Sequence, residues 1–239
     1  MIDALQAYMS SFAGYGDLRA PLWFVGMEEG GGRDVDELAR RVVAWEVRGR
    51  QRLEDLAGFH RAIGMSRHFE APFPLQRTWG PLSRVLQASR GASTTLSELR
   101  HVQATQLGTY GGGAALLELL PLPAPNTSTW PYAALAKYVP ALRDRVTYRD
   151  TYEHVRLAML RALIEEGRPR AVICYGLGYR ESWTALAGAP LRPVTIGERA
   201  CYVGEASGSM LLAVPHPVAN GGTNRFWEAV GSTVAVGAG

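Results

Sequence analysis

Two short segments of the sequence combine acid–base side chains with unusual backbone composition. Glu28 and Glu29 lie in the segment 26–32, which ends in three consecutive glycines. His216 lies between two prolines, so its imidazole is presented from a backbone with little freedom. A carboxylate can activate water or stabilise a cation, and a histidine can donate a hydrogen bond or move a proton. We therefore take Glu28 and His216 as candidate catalytic residues, although adjacent glutamates also occur as solvated loop charges and a histidine can simply cap a turn.

Other side chains that can bind ligands stand in loops, and each also has an ordinary structural interpretation. Asn126 could read an amide-bearing ligand, or it could stabilise a turn. Trp79 flanks a proline-rich loop and could stack on a base, or pin that loop to the core. No histidine or cysteine has the spacing of a metal site, so we predict neither a metal nor another cofactor. The remaining histidines are interpreted as surface or packing residues, and they are His60, His68, His101 and His154.

Glu28 and His216 are far apart in the sequence, so they can form one site only if strands and helices bring them together. Short apolar runs alternate with stretches of helical periodicity, which predicts an α/β fold with a central, mainly parallel sheet and helices on both faces. Ligands of such sheets bind at the carboxyl ends of the strands, so Glu28 and His216 should meet at one edge. The predicted strands are Leu22–Val25, Leu116–Leu120, Val172–Tyr175, Ala200–Val203 and Leu211–Val214. The predicted helices are one that starts after Asp34, a second near Leu53 and Leu56, and others at Leu82–Ala88, Pro131–Val139, Arg149–Glu166, Arg180–Leu186 and Asn224–Val230.

Composition indicates a single globular domain over residues 1–239. Of these 239 residues 47% are hydrophobic, which is enough to bury a full core without disulfides. There is no apolar run of about 18 residues, and the first residues lack the basic start and apolar centre of a signal peptide. With only two cysteines, we expect a cytoplasmic location with reduced thiols. We also expect a monomer with no membrane partner. The net charge is +3, and all but one of the 25 basic residues are arginine, which permits a nucleic-acid partner.

Several loops resemble those of the uracil-DNA glycosylase superfamily, over about Leu22 to Gly231. Segment 24–30 is similar to the first catalytic loop of that superfamily, and segment 212–217 is similar to the His-Pro or Asn-Pro loop after its last strand. Segment 172–176 resembles its penultimate core strand. The resemblance implies a three-layer α/β/α fold and a DNA partner that contains uracil or a damaged base. It also implies hydrolysis of the N-glycosidic bond of a base flipped out of DNA, as in base excision repair.

The resemblance further implies roles for individual residues. Glu28 would orient or deprotonate water and stabilise the oxocarbenium-like sugar. His216 would donate a hydrogen bond to the leaving base. The implied substrate-binding residues are Gly26, Met27, Glu29, Gly30, Trp79, Asn126 and Pro217. The implied DNA-binding residues are Gly31, Gly32, Val218, Ala219, Asn220, Gly221, Gly222 and Arg225.

The sequence departs from the superfamily pattern at three places. Glu28 stands where active members carry Asp or Asn, Glu29 replaces the usual proline, and residues 118–122 lack the expected base-reading asparagine. Two alternative functions follow. The first is a catalytically inactive nucleic-acid or nucleotide binding protein of the same fold, and the second is a hydrolase that uses Glu28 and His216 on an unrelated small molecule.

Overall fold

Apolar runs of the sequence form the central strands of one mixed sheet. The computed structural model describes residues 1–236, which fold into an α/β structure with eight strands and eight α-helices. The strands are β1 (Gly14–Tyr15), β2 (Leu22–Gly26), β3 (Leu53–Glu54), β4 (Ala114–Glu118), β5 (Ala171–Tyr175), β6 (Arg192–Ile196), β7 (Arg199–Ala206) and β8 (Ser209–Val214). The α-helices are α1 (Ile2–Ser11), α2 (Val35–Val47), α3 (Leu56–Ala62), α4 (Trp79–Ala88), α5 (Leu96–Thr105), α6 (Arg145–Gly167), α7 (Arg180–Ala187) and α8 (Asn224–Val236).

The strand order of the sheet is β3-β1-β4-β2-β5-β8-β7-β6. The four inner strands β4, β2, β5 and β8 run parallel to one another, which brings their carboxyl ends to one edge. Every residue of β2, β4 and β5 is buried, as is typical of parallel strands. β1 runs antiparallel to β4, and β7 runs antiparallel to both β6 and β8. The sheet is therefore parallel at its centre and mixed at its sides.

Capping side chains set where two long helices begin. Asp34 accepts a hydrogen bond from the backbone N–H of Glu37 at the start of α2, and Asp144 accepts one from Thr147 at the start of α6. The cap of α6 places Arg145 in its first turn, next to the carboxyl edge of the sheet. Among the helices, α4 packs against α8, and α1 packs against both α2 and α6.

The structure confirms the α/β class and changes several predicted boundaries. The strands predicted at 22–25, 172–175 and 211–214 lie within β2, β5 and β8, whereas β4 ends two residues earlier than predicted. The sequence predicts helical structure around Leu53 and Leu56, but residues 53–54 form strand β3 before helix α3 begins at Leu56. Residues 131–139 form only a short 3-10 helix at Ala133–Lys137 rather than a regular helix. The pattern of apolar residues did not predict α1, α5 or β6.

Two further features were also expected from composition. None of the helices within residues 1–236 combines the length and the apolar character needed to cross a membrane. Cys174 and Cys201 are free and buried. Burial raises the pKa of the Cys174 thiol well above its usual range and that of Cys201 to about 11. Both cysteines are therefore protonated core residues near neutral pH.

Candidate functional site

The predicted catalytic loops lie at the same edge of the sheet. Because β2, β5 and β8 are parallel neighbours, Gly26, Tyr175 and Val214 end their strands side by side. Glu28 follows the end of β2 by two residues, and His216 follows the end of β8 by two residues. The strand order therefore brings these two distant parts of the sequence to one edge, with β5 between them.

Tyr175 connects the two sides of this edge. Its ring packs edge-on against the imidazole of His216, with 5.4 Å between ring centroids. Its hydroxyl donates a hydrogen bond of 3.4 Å to Oε1 of Glu118, the last residue of β4. Gly26 leaves room for this contact, because a Cβ there would lie 2.3 Å from the Tyr175 hydroxyl and 2.5 Å from Glu118 Oε2. We call Glu28, Glu118, Tyr175 and His216 the edge cluster.

Glu28 is a largely buried carboxylate with one paired and one unpaired oxygen. Its side chain is 10% exposed, and Oε1 accepts a hydrogen bond from Nη1 of Arg145 in an ion pair. Oε2 is buried and has no hydrogen-bond partner among residues 1–236. Burial raises the pKa of Glu28 above its usual range, and Arg145 opposes this effect. Glu28 is thus a more basic carboxylate than an exposed glutamate, which favours proton abstraction.

Arg145 ties Glu28 to the loop that follows β4. Its Nη2 donates hydrogen bonds to the main-chain oxygens of Asn126 at 2.7 Å and Thr129 at 2.9 Å. Its guanidinium also lies 5.5 Å from the ring centroid of Trp130. One planar guanidinium therefore contacts a carboxylate, two carbonyls and an aromatic ring, which restricts the position of the Glu28 carboxylate.

The hydrogen bonds of His216 define which ring nitrogen faces a ligand. Its Nδ1 lies 3.3 Å from the backbone nitrogen of Val218, so Nδ1 accepts that N–H bond and the ring proton is on Nε2. Burial lowers the pKa of His216, which favours the neutral ring. A neutral imidazole with its proton on Nε2 can donate one hydrogen bond to a ligand oxygen.

Glu118 is a site residue that the sequence interpretation missed. It is 8% exposed, and its Oε2 is buried with no hydrogen-bond partner among the described residues. Burial raises the pKa of Glu118 well above its usual range, and the charges of Glu29 and Glu28 raise it further. The sequence did contain a sign of this residue, because a glutamate ends an otherwise apolar run that forms a buried strand.

Glu29, predicted to bind substrate, is instead engaged inside the protein. Arg41, which is fully buried, donates hydrogen bonds to both carboxylate oxygens of Glu29, at 2.9 and 3.3 Å. The Tyr15 hydroxyl donates a third bond of 2.7 Å. Burial alone would raise the pKa of Glu29, but Arg41 and the surrounding hydrogen bonds lower it well below the usual range. Its oxygens are occupied by protein groups, so we leave Glu29 out of the edge cluster.

His60 belongs to the same buried network, although its sequence context indicated only a surface or packing residue. It is 2% exposed, and its Nδ1 lies 2.8 Å from the main-chain oxygen of Leu56, one turn earlier in α3. Its Nε2 lies 3.1 Å from Glu29 Oε1. The polar role of His60 depends on a contact across 31 sequence positions, which its spacing to other residues does not reveal.

The glycine-rich segment does not present a free phosphate cradle. The backbone N–H groups of Gly32 and Arg33 donate to the two carboxylate oxygens of Glu37, at 2.9 and 3.2 Å. Burial would raise the pKa of Glu37, but these two donors and the neighbouring Arg41 together outweigh it and lower the pKa. A Cβ on Gly31 would lie 2.8 Å from the same carboxylate. An internal anion therefore occupies the N–H groups of Gly32 and Arg33, and the predicted contact of Gly31 and Gly32 with DNA phosphate stays a prediction.

Asn126 and Trp79, two predicted substrate contacts, have structural roles in the described chain. The side-chain oxygen of Asn126 accepts hydrogen bonds from the backbone N–H groups of Ser128 and Thr129, which makes it a turn residue. The Trp79 ring packs against His60, His68 and Phe69 with centroid distances of 5.6 to 5.7 Å. Each of these two residues thus matches the structural interpretation of its sequence context.

The other predicted substrate contacts are mainly backbone positions near the ends of the strands. The main-chain oxygens of Gly26 and Met27 accept hydrogen bonds from Leu119 and Leu120, which extends the pairing of β2 with the chain after β4. Gly30 forms an isolated parallel bridge with Ala124. Buried residues at these positions, besides Gly26, are Met27 and Pro217.

The loop after His216 is the most exposed part of this edge. The backbone N–H of Ala219 donates to the main-chain oxygen of His216 at 2.9 Å, which closes a turn. Residues 218–225 are all exposed, including the predicted wedge Val218–Asn220 and the predicted phosphate contact Arg225. Val218 is 44% exposed, so an apolar side chain lies at the surface of this loop. The exposure of this loop suits contact with a large ligand.

No family model matches the sequence, and no curated protein matches it significantly. Within residues 1–236, no group of three or more histidine, cysteine, aspartate or glutamate side chains has an arrangement that could hold a metal ion.

Proposed function

We propose that this chain is a DNA glycosylase-like hydrolase that acts on the N-glycosidic bond of uracil or another deaminated or damaged base. The observation that carries the proposal is the placement of Glu28 and His216 at one edge of a parallel sheet, with Tyr175 between them. The three-layer arrangement of the uracil-DNA glycosylase superfamily, a DNA partner and a cytoplasmic location are parts of the same proposal.

The chemistry assigns one step to each residue of the pair. The bond between the sugar C1′ and the base nitrogen breaks, and its electron pair leaves with the base. His216 donates a hydrogen bond from Nε2 to the oxygen of the base on which negative charge develops. Glu28 stabilises the cationic sugar and accepts a proton from the water that attacks C1′. The exposed loop 218–225 contacts the DNA, with Arg225 on a phosphate.

Two variants test these roles at saturating enzyme in single-turnover assays. Substrates are oligonucleotides that carry uracil, hypoxanthine or xanthine, in single and double strands, with strand scission after alkali as the readout. Glu28→Gln should lower the rate far more than it weakens binding, because it removes the charge and leaves the shape. His216→Ala should lower the rate by about 10²–10³-fold, the usual effect of losing one such donor.

Surface variants give matched controls for this experiment. Glu46→Gln and His154→Ala change exposed residues of the same types, and both should leave the rate unchanged. Arg225→Ala should weaken binding to all sequences and flatten its salt dependence. Excision that survives Glu28→Gln at the wild-type rate would remove Glu28 from the mechanism.

A second candidate function has its own supporting observation. Arg145 already pairs with the Glu28 carboxylate, whereas residues 218–225, which include Arg225, are all exposed. A paired carboxylate beside an exposed loop suits a protein of this fold that binds nucleic acid or nucleotides without chemistry. Wild-type protein that binds DNA with a steep salt dependence and never produces alkali-sensitive sites would support this second function. Absence of salt-dependent DNA binding would favour a small-molecule hydrolase instead.

A further inference from the structure

Glu118 occupies a position that the proposed mechanism does not use. It ends β4 beside Gly26, the residue that ends β2, and its carboxyl group lies within the edge cluster. Oε1 accepts the hydrogen bond from Tyr175, whereas Oε2 has no partner among residues 1–236. A buried polar atom without a partner is costly in a folded protein and commonly marks a functional position.

The Tyr175 hydroxyl and Arg156 favour a negative charge on Glu118, but burial outweighs both. Arg156 is the nearby buried cation, but its Nε and Nη2 donate to the main-chain oxygens of Leu119 and Glu118, at 2.8 and 2.9 Å. The other charged neighbours are Glu28 and Glu29, which repel a second anion. Burial and these two charges raise the pKa of Glu118, as described above. A buried carboxyl group in this setting therefore favours its neutral, protonated form.

The hydrogen bonds also indicate where that proton lies. Oε1 receives a hydrogen from the Tyr175 hydroxyl, so the proton of the acid is on Oε2, the oxygen without a partner. We propose that Glu118 is a ligand-recognition residue of the edge cluster and that its Oε2 donates a hydrogen bond to an acceptor atom of the bound base. The proposal rests on the proposed function in one respect, namely that the ligand is a nucleobase.

The chemistry of the donor narrows the class of ligand. An acid O–H pairs with a carbonyl oxygen or an unprotonated ring nitrogen, whereas an ionised carboxylate would select N–H groups. Oxo bases such as uracil and hypoxanthine offer carbonyl acceptors. Since Oε2 is withdrawn from solvent, a base reaches it only after side chains at the edge move. Once formed, the contact is shielded from water, which makes a missing acceptor on the ligand costly.

Two substitutions at position 118 test whether the Glu118 side chain acts as a neutral hydrogen-bond donor, as an anion or only through its packing. Glu118→Gln keeps the shape, an acceptor and a donor, so it should mimic the neutral acid. Glu118→Leu keeps most of the volume and removes both polar atoms. Equilibrium dialysis with free uracil and free hypoxanthine then measures affinity directly. We expect Glu118→Gln to bind the base that the wild type binds within about 3-fold, and Glu118→Leu to bind it at least about 10-fold more weakly. Thermal unfolding and circular dichroism establish that each variant is folded.

The pH dependence gives a readout that a purely structural role would not change. Binding by the wild type should weaken at alkaline pH more than binding by Glu118→Gln, because only the wild type loses its donor as Glu118 ionises. Ionisation of the free base affects both proteins equally, so the glutamine variant is an internal control. The groups that face Glu118 are Glu28, Glu29, Tyr175 and Arg156, and both proteins contain all four.

The outcomes distinguish this inference from the proposed function. Base binding that requires Glu118, without excision from DNA, would support the inference and contradict the hydrolase function. Excision with unchanged base affinity in Glu118→Leu would overturn the inference and leave the hydrolase function standing. Loss of binding in Glu118→Gln as complete as in Glu118→Leu would also overturn it, because an anion would then be required. A wild type that binds neither base would overturn it as well.

Discussion

Glu28 and Arg145 form the pair that decides whether the edge cluster holds a reactive carboxylate. The side chain of Glu28 is 10% exposed and that of Arg145 is 21% exposed, so water only partly screens their interaction. Arg145 lowers the pKa of a carboxyl group that burial alone would raise further. A carboxylate must be ionised to accept a proton, so Arg145 keeps Glu28 in its useful form over a wider pH range.

Replacing Arg145 with methionine should therefore move the pH profile of the reaction. The pKa of Glu28 rises when the cation is lost, so the acidic limb of the single-turnover rate should shift to higher pH. Arg145→Lys should shift it less, because the charge remains while the carbonyl contacts to Asn126 and Thr129 are lost. The measurement is the pH–rate profile of each variant. Arg52→Met, which changes a half-exposed pair with Glu166, is the matched control. An unchanged acidic limb in Arg145→Met would contradict the assignment.

At the scale of elements, the glycine-rich connection between β2 and α2 is a packed joint rather than an open loop. Gly32 has φ of +63°, and a Cβ there would lie 2.1 Å from the main-chain oxygen of Pro123 and 2.4 Å from the Tyr132 hydroxyl. That hydroxyl donates to the same Pro123 oxygen at 2.6 Å. The joint thus fixes the loop after β2 against the loop after β4, and with it the relative positions of Glu28 and Glu118.

The Gly32→Ala variant should destabilise the protein by two separable effects. Gly111 provides the control, because its φ is +67° and no atom lies within 4 Å of a Cβ placed on it. Gly111→Ala should cost about 1 kcal/mol for the left-handed backbone alone. Gly32→Ala adds a collision with backbone and should cost at least about 2 kcal/mol more. Urea unfolding of both variants measures the difference. Equal losses would show that the joint is not tightly packed.

The length and the burial of each element determine whether the sequence could predict it. β2 and β5 are short apolar runs that end in glycine or tyrosine, and burial on both faces makes such runs conspicuous. β3 has two residues and forms only because it pairs with β1, so local pattern cannot identify it. Helix α5 is polar over much of its length and is 10 residues long, which leaves a weak periodic pattern.

At the scale of the whole molecule, some features of the candidate site could be predicted from the sequence and others could not. The meeting of Glu28 and His216 follows from parallel strands, a rule of topology that sequence patterns can express. The engagement of Glu29 with Arg41, and of Glu37 with Gly32, depends on side-chain contacts that no periodicity encodes. For this reason the sequence placed the candidate catalytic pair at one edge but assigned to ligands several groups that bind one another.

The buried network around Glu29 joins the first strand, helices α2 and α3, and the edge of the sheet, so it should govern stability in acid. The pKa of Glu29 is lowered by folding, so its ionised form stabilises the protein above the unfolded value of about 4.3. That contribution is lost progressively as the pH falls below this value.

In Glu29→Gln, Arg41 stays buried with only Glu37 as an anionic partner, which should cost about 3 kcal/mol at pH 7. The difference from wild type should shrink as the pH is lowered towards 3. Urea unfolding across this range measures it, with Glu166→Gln as the control, because its half-exposed pair with Arg52 should contribute less than about 1 kcal/mol at any pH. A difference between wild type and Glu29→Gln that stays constant from pH 7 to pH 3 would show that the ionised carboxylate is not what the fold depends on.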